Sequence, residues 1–292
     1  MAIAVVGMHR SGTSMITRML ATCGMQVGPS HELLGPSSEN PTGYWERRPM
    51  VLLDDVVLDR LGLAWDHVPA LPPAGWERDP AFDEPLAEAR RIVESFPDDR
   101  AWGWKDPRTS IVLPFWERAL DERADLVLCV RNPLDVAASL ATRGGMSPRH
   151  AFSLWHAYSH VALELLRERR GVVTHYDAYF HDASAELART CDAIGLDPTD
   201  EQLAEAAGGA DRAHRHSARG LADLVRSTAP DETVALYLEL LAQAGPVMAQ
   251  VASTDAMVVE QDDEPVDRTE TTAWVASFRA EHGLRAPASG GF

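Results

Sequence analysis

Residues 2 to 14 read Ala-Ile-Ala-Val-Val-Gly-Met-His-Arg-Ser-Gly-Thr-Ser, and the order of apolar and glycine residues in them is the strongest indication of the fold. Its opening run, from Ala2 to Val6, is apolar and largely β-branched, which predicts a buried strand. A loop bounded by glycines interrupts the run. Apolar residues then return at the spacing of a helix, at Met15, Ile16, Met19 and Leu20. The stretch therefore predicts a strand, a loop and a helix in direct succession.

The loop has the glycine spacing of a phosphate-binding Walker A loop. Gly7 and Gly12 occupy the glycine positions, but Thr13 stands where a Walker A loop has its lysine. Backbone N–H groups of such a loop point inward, and the helix N-terminus adds positive potential. The missing lysine normally contacts the β and γ phosphates of a triphosphate. We therefore expect an anion site in which Arg10 lies near a 5′-phosphate and whatever that phosphate carries.

Further apolar runs predict three more strands, at Ala101–Trp104, Leu126–Val130 and Val172–His175. Helical patterns fall between or after them, at 13–23, 51–61, 85–96, 133–142, 150–170, 183–194, 200–207 and 231–252. Loops are expected over 28–49 and 62–82. Strands separated by helices indicate an α/β fold, a three-layer P-loop fold with a central, mainly parallel sheet flanked by helices.

A second candidate anion site follows the strand at 126–130. Arg131 ends this strand, Asn132 suits the N-cap of the next helix, and Pro133 suits its first position. Ser139 lies about two turns into that helix. A guanidinium beside a helix N-terminus can make bidentate contact with a phosphate. Arg131 and Ser139 are therefore candidate phosphate ligands.

A third charged motif, Lys105-Asp-Pro-Arg108, follows the strand at 101–104. Ligands of parallel α/β sheets bind beyond the carboxyl ends of the strands. Because all three motifs follow strands, we expect them to meet at one edge of the sheet.

These motifs resemble those of the PAPS-dependent P-loop sulfotransferases, where PAPS is 3′-phosphoadenosine 5′-phosphosulfate. The likeness is greatest to bacterial members whose loop opens Gly-Met-His-Arg-Ser-Gly-Thr-Ser. The resemblance covers roughly residues 1–216, in scattered motifs. It implies transfer of a sulfuryl group from PAPS and release of adenosine 3′,5′-bisphosphate. The residues it assigns to the 5′-phosphosulfate are Arg10, Ser11, Gly12, Thr13 and Ser14.

The resemblance also assigns the other end of PAPS. It implies that Arg131 and Ser139 hold the 3′-phosphate, so the ligand carries anions on both sides of one ribose. Val172-Val-Thr-His-Tyr-Asp177 resembles the family's later strand, whose tyrosine, here Tyr176, approaches the adenosine. Arg212-Ala-His-Arg-His216 resembles a late loop that closes over the 3′-phosphate, with Arg215 slightly preferred over Arg212.

The acceptor's proton needs a base, because a hydroxyl has a high pKa. The segment Glu39-Asn-Pro-Thr-Gly-Tyr-Trp-Glu46 resembles that of the nearest bacterial members and favours Glu46 as this catalytic base. Glu39, Glu32 and His31 remain alternatives. Lys105 would stabilise charge on the transferring group, as the corresponding lysine does in relatives. The implied reaction is an in-line displacement in which Arg10 also neutralises charge.

The acceptor itself is left open: a hydroxyl or amine of a small molecule, glycan or glycolipid. A set of rings that suits sugar faces, aromatic compounds or an ordinary core lies near the motifs: Tyr44, Trp45, Trp65, Trp76, Trp102 and Trp104. Two other functions compete. A small-molecule kinase or NTPase would bind ATP with Mg²⁺, whereas a non-catalytic nucleotide-binding protein would bind the bisphosphate without depending on Glu46.

Composition narrows these classes further. The formal charge of −17 argues against a nucleic-acid partner. Three widely spaced cysteines favour neither a disulfide framework nor a zinc site. His156 and His160 have i, i+4 spacing but lack the Glu of an HExxH motif, so we expect no metal. The sequence has no apolar run long enough for a membrane span and does not open like a signal peptide, so a cytoplasmic protein is expected.

The composition changes near residue 255, where the chain becomes acidic and rich in threonine before reaching Pro-Ala-Ser-Gly-Gly. Such a composition favours a loosely held segment. We therefore divide the chain into a sulfotransferase domain over 1–254 and an acidic tail over 255–292.

Overall fold

The computed structural model describes residues 1–37, 40–97, 99–210 and 219–259, the last seven by their backbone alone. Within these ranges four strands form one sheet: β1 (Ala2–Val6), β2 (Trp102–Lys105), β3 (Asp125–Val130) and β4 (Gly171–His175). Every pairing is parallel, and the strand order is β2-β1-β3-β4. Helices cover the sheet, so the α/β fold with a central parallel sheet is confirmed.

The described residues form twelve α-helices. They are α1 (Thr13–Thr22), α2 (Arg48–Arg60), α3 (Asp83–Glu94), α4 (Thr109–Leu120), α5 (Pro133–Gly144), α6 (Pro148–Leu166), α7 (Ala178–His181), α8 (Ala183–Ala193), α9 (Asp200–Ala207), α10 (Leu221–Val225), α11 (Asp231–Gln243) and α12 (Gly245–Val259). Within the parts of the chain described above, no helix is long and apolar enough to cross a membrane.

Most predicted elements are confirmed, and the differences have local causes. The pattern over 231–252 forms two helices, because Gly245 adopts a φ of 84°, which breaks the helix at that point. Three helices have no predicted counterpart: α4, which carries Pro114 in its interior, and the short α7 and α10. The long helix α6 begins earlier than expected, at Pro148, where Ser147 caps its N-terminus.

Each sheet face has its own apolar core, because successive strand residues point to opposite sides. In β1, Ala2, Ala4 and Val6 belong to a large cluster formed with α2–α6 and α11, whereas Ile3 and Val5 belong to a second cluster with α1 and α8. All five residues are buried. This double burial is the physical reason that the strand reads as a continuous apolar run.

The centre of the sheet places the loop after β1 beside the loop after β3. The chain leaves β1 for β2 on one side and then returns to β3 on the other, which creates a crevice at the carboxyl ends. Gly7 begins the first loop, with a φ of 132°. A Cβ at this position would lie 2.3 Å from the carbonyl oxygen of Cys129 in β3. Only glycine allows so close an approach.

Candidate active site

The first loop presents a helix N-terminus with open backbone donors. Gly12, the N-cap of α1, has a φ of 85°, and among the described residues no side chain caps this helix. Ser11 is 1% exposed, and its Oγ has no hydrogen-bond partner within the described ranges. Uncapped N–H groups and a buried hydroxyl together suit an anion. The observed loop therefore has the donors that a phosphate or phosphosulfate requires.

The side chain of Tyr176 packs between the loop after β1 and Arg131, the residue that follows β3. A Cβ on Gly12 would lie 2.2 Å from Cδ2 of Tyr176, so the ring lies directly on the glycine. The same ring also contacts a cation, because the guanidinium carbon of Arg131 lies 4.5 Å from its centroid. Phe180 packs edge-on against the same ring, at 4.9 Å. Tyr176 therefore contacts both the loop after β1 and the residue that ends β3.

The second motif has the local structure that the sequence predicts. Asn132 caps α5 by accepting a hydrogen bond from the N–H of Leu134, at 2.9 Å. Arg131 is 9% exposed and lines the cavity. Its Nε lies 3.9 Å from the fully buried carboxylate of Asp135. The carboxylate of Asp135 therefore keeps the guanidinium of Arg131 close to the N-terminus of α5.

Direct hydrogen bonds join the two motifs. Arg10 donates from Nε to Ser139 Oγ at 2.8 Å, and Arg131 donates from Nη1 to the carbonyl oxygen of Arg10 at 3.2 Å. Arg10 also has a φ of 71°, a left-handed conformation that non-glycine residues rarely adopt. Strain of this kind persists where surrounding contacts determine the backbone. Both motifs therefore belong to one site.

The third motif brings Lys105 against Glu46. The ammonium of Lys105 lies 2.5 Å from Oε1 of Glu46, and their side chains are only 3% and 9% exposed. Lys105 also donates to the carbonyl oxygen of Tyr44 at 3.2 Å and to Ser14 Oγ at 3.4 Å. Trp45, which precedes Glu46, has a φ of 61°. The predicted base and the predicted transferring-group ligand are therefore a buried ion pair.

The rest of this motif lies behind the site. Arg108 forms ion pairs with Asp55 at 2.7 Å and with Asp106 at 3.0 Å. It is not one of the described residues that line the cavity. Burial raises the pKa of Asp106 to about 6, while the adjacent guanidinium of Arg108 opposes this rise and Glu46 adds to it. Asp106 and Arg108 could position the acceptor or hold Lys105 in place, and their pairing with each other away from the cavity lining favours the second role.

The alternative bases differ in their surroundings. Glu32 forms an ion pair with Arg47 at 2.5 Å, and His31 is exposed. Neither lines the cavity, as far as the structure describes it. Glu39, Arg212 and Arg215 lie outside the described residues.

The sequence analysis missed three cavity arginines. Arg219 donates to Leu134 O at 3.0 Å and lies 3.4 Å from Asp135, so it stands beside Arg131. Arg18 donates to Gly209 O at 2.7 Å, and Arg143 comes from the last turn of α5. The available signal was spacing: Arg143 lies one helical turn after Ser139, and Arg18 one turn after Ser14.

Together these residues line a cavity of about 710 Å³. Its described lining contains two carboxylates, Glu46 and Asp135, and six basic side chains: Arg10, Arg18, Lys105, Arg131, Arg143 and Arg219. The excess of four positive charges occurs in a chain with a formal charge of −17. Because each phosphate monoester carries about −1.5 to −2 at pH 7, this excess matches two phosphate groups.

The ring-rich set belongs largely to the core. Trp102 and Trp104 are buried, and Phe96, Trp102, Trp104 and Trp116 pack in sequence. Trp65 and Trp76 pack against the same core, and of the predicted set only Tyr44 lines the described cavity. Of the two alternatives, the ordinary core is therefore correct for Trp102 and Trp104, which are buried in the strand, whereas Trp45 belongs neither to the core cluster nor to the described lining of the cavity.

No grouping of three or more His, Cys, Asp or Glu residues suitable for a metal ion occurs in the ranges that the structure covers. His156 and His160 stack on α6 with ring centroids 5.9 Å apart.

No family model and no curated protein sequence matches the chain. Among solved structures, the chain is similar to the sulfotransferase domain of an olefin synthase from Synechococcus PCC 7002. The two are 22% identical, the match covers 91% of this chain and 95% of that chain, and the TM-score is 0.43. The sulfotransferase domain from the curacin biosynthetic pathway shows 15% identity, 98% coverage of both chains and a TM-score of 0.43. A retinol dehydratase, crystallised with androsterone and the inactive cofactor PAP, shows 13% identity, 92% and 83% coverage and a TM-score of 0.39. At these values the function has to be argued from the site itself.

Proposed function

We propose that this protein is a sulfotransferase that moves a sulfuryl group from PAPS to a hydroxyl or amine of a small-molecule, glycan or glycolipid acceptor. The observation that carries the proposal is the contact of Arg10 with Ser139 and of Arg131 with the Arg10 carbonyl. These contacts bring the loop after β1 and the loop after β3 together at one crevice, which supports a pair of anion-binding motifs there. A ligand with anions on both sides of a ribose fits this arrangement, whereas a linear triphosphate does not require it.

The residues present fit PAPS. Its 5′-phosphosulfate would meet the uncapped N-terminus of α1, formed by Gly12, Thr13 and Ser14, together with the unpartnered hydroxyl of Ser11. Its 3′-phosphate would meet Arg131, with Arg219 as a second guanidinium beside it. We propose that Ser139 contributes a hydroxyl there. Arg215, outside the described residues, stays a proposed ligand of the same phosphate.

Tyr176 suits the nucleoside between these two groups. Its ring lies on Gly12 and against Arg131, so it stands between the two phosphate positions. We propose that the adenosine approaches this ring, as the sequence resemblance implies. An aromatic face suits a purine because stacking buries apolar area without requiring hydrogen bonds from the ring.

Glu46 and Lys105 supply the chemistry at the other end. PAPS supplies the sulfuryl group when it is bound. The ammonium of Lys105 contacts Oε1 of Glu46, which leaves Oε2 for the acceptor's proton. Lys105 also reaches Ser14 at the phosphate loop, so the same ammonium can stabilise negative charge on the transferring group. Arg10 provides the second cation for this charge.

The test is turnover of labelled PAPS with a metabolite pool, followed by mass spectrometry of sulfated products. The proposal predicts metal-independent sulfation and its loss in Glu46→Gln, by about 10²–10⁴-fold for a missing proton acceptor. The same variant should bind adenosine 3′,5′-bisphosphate as wild type does. Binding of ATP that requires Mg²⁺, with no response to the bisphosphate, would instead identify a kinase or NTPase. Bisphosphate binding with no Glu46-dependent turnover would identify a non-catalytic protein.

A further inference from the structure

His9 is a cavity side chain to which the proposed function gives no role. It immediately precedes Arg10 in the phosphate loop, and its imidazole lines the cavity. The ring packs against Trp65, with centroids 4.8 Å apart, and against Tyr158, at 5.9 Å. Tyr158 is itself fixed by a hydrogen bond from its hydroxyl to the Trp65 carbonyl, at 2.9 Å. Two aromatic side chains therefore hold the imidazole in place.

The ring has unused hydrogen-bonding capacity. Its Nε2 is buried and has no hydrogen-bond partner among the described residues. A buried polar atom without a hydrogen bond destabilises the fold, and such atoms are uncommon in folded proteins. Three other polar side chains of the cavity lining form hydrogen bonds with nearby protein atoms: Asn40 donates to Gly43 O, Thr42 to Asn40 and Thr142 to Ala138 O. His9 thus differs from its polar neighbours.

Electrostatics keep this imidazole uncharged. Burial lowers the pKa of His9 well below its ordinary value, and the positive charges of Arg108, Lys105, Arg143 and Arg10 lower it further. A neutral imidazole carries one donor and one acceptor nitrogen. It can therefore exchange hydrogen bonds with a neutral polar group, and it adds no charge to the cavity.

The contacts of His9 connect it to the acceptor side. Trp65, which its ring touches, follows α2, and α2 begins two residues after Glu46 and carries Asp55, the partner of Arg108 in the Lys105 motif. His9 therefore belongs with the Lys105–Glu46 end of the cavity. Of the predicted rings only Tyr44 lines the described cavity, so a flat aromatic acceptor would have a single tyrosine at this end to stack on.

We propose that His9 binds the acceptor, through a hydrogen bond between its imidazole and a polar group next to the reacting hydroxyl. The acceptor class is then a non-aromatic compound with neighbouring hydroxyl groups. This inference rests on the proposed function, because it assumes that the Lys105–Glu46 end receives the acceptor. The reacting hydroxyl gives its proton to Glu46, and His9 holds the group beside it.

The test uses labelled PAPS with a matched pair of acceptors, trans-cyclohexane-1,2-diol and cyclohexanol, and with 2-naphthol as a flat aromatic comparison. We expect wild type to sulfate the diol with the highest kcat/KM. His9→Ala should lower kcat/KM for the diol about tenfold, mainly through KM, and leave that for cyclohexanol unchanged. His9→Gln, which keeps hydrogen-bonding groups, should recover part of the loss.

The outcomes separate this inference from the proposed function. Calorimetry with adenosine 3′,5′-bisphosphate should give the same affinity for wild type and His9→Ala, which also shows that the variant is folded. If wild type does not bind the bisphosphate, the proposed function fails. If wild type binds it, the role of His9 is overturned by equal losses on both cyclohexyl acceptors, by no loss, by preference for 2-naphthol, or by turnover of none of the three.

Discussion

The buried pair of Lys105 and Glu46 yields the sharpest prediction, a double-mutant cycle. Removing one partner of a buried ion pair costs about 3–5 kcal/mol, because the other charge is left in a poorly solvated place. Glu46→Gln should fall at the lower end of this range, since Lys105 keeps Tyr44 O and Ser14 Oγ as acceptors. Lys105→Met should fall at the upper end, because it leaves the carboxylate without its cation.

The double variant carries the test. Replacing both charges by side chains of similar volume removes the desolvation penalty, so its stability should lie within about 1 kcal/mol of wild type. Urea unfolding followed by circular dichroism measures the four free energies. A matched surface pair, Arg91 and Glu88, whose side chains are 71% and 47% exposed, should show coupling of about 1 kcal/mol or less.

Turnover of labelled PAPS separates stability from chemistry in the same cycle. The double variant should be stable yet inactive, because it has neither the proton acceptor nor the ammonium. Additive losses of stability from the two single variants would refute the reasoning, since independent sites show no coupling. A stable double variant with wild-type turnover would show that the pair is structural.

Three other predictions follow from single contacts. Gly12→Ala should weaken binding of adenosine 3′,5′-bisphosphate at least tenfold in calorimetry, because a Cβ at this φ of 85° would lie 2.2 Å from the Tyr176 ring. Gly144→Ala is the control, since a Cβ there has no other heavy atom within 4 Å. Asp106→Asn should change how thermal stability depends on pH. Because the pKa of Asp106 is raised in the folded protein, its stabilising contribution is present below pH 4 and is lost as the pH rises through about 6. Thermal unfolding of the variant should therefore lack the decline in stability that wild type shows between pH 4 and 7. Tyr176→Ala should weaken the bisphosphate more than Tyr176→Phe, because the contacts with Arg131 and Gly12 are made by the ring; equal losses would contradict this.

The sequence predicted the sheet and the motif positions well, because local physics determines both. Alternation is absent from β1 since both of its faces are buried, and Asn132-Pro133 specifies the start of α5 through its own hydrogen bond and fixed φ. The α4 helix was not predicted because Pro114 interrupts the helical pattern of its sequence. Packing of α4 against α3 and α6 stabilises the helix in the fold.

Side-chain partners could not be predicted in the same way. The pairing of Lys105 with Glu46 joins residues 59 positions apart, and Arg10 meets Ser139 across 129 positions. Such contacts depend on how loops from different strands pack together. The tryptophans show the same limit: the sequence was compatible with either a binding surface or an ordinary core, and the structure places Trp102 and Trp104 in a strand buried on both faces.

If one crevice holds a ribose with an anion on each side, a nucleotide that lacks the 3′-phosphate should bind more weakly. Calorimetry in EDTA, comparing adenosine 3′,5′-bisphosphate with 5′-AMP, measures this difference. We predict that wild type prefers the bisphosphate by about 10–100-fold, that Arg131→Ala removes most of this preference, and that Arg91→Ala keeps it. Equal affinity of wild type for both nucleotides, or a preference that survives Arg131→Ala unchanged, would contradict the account.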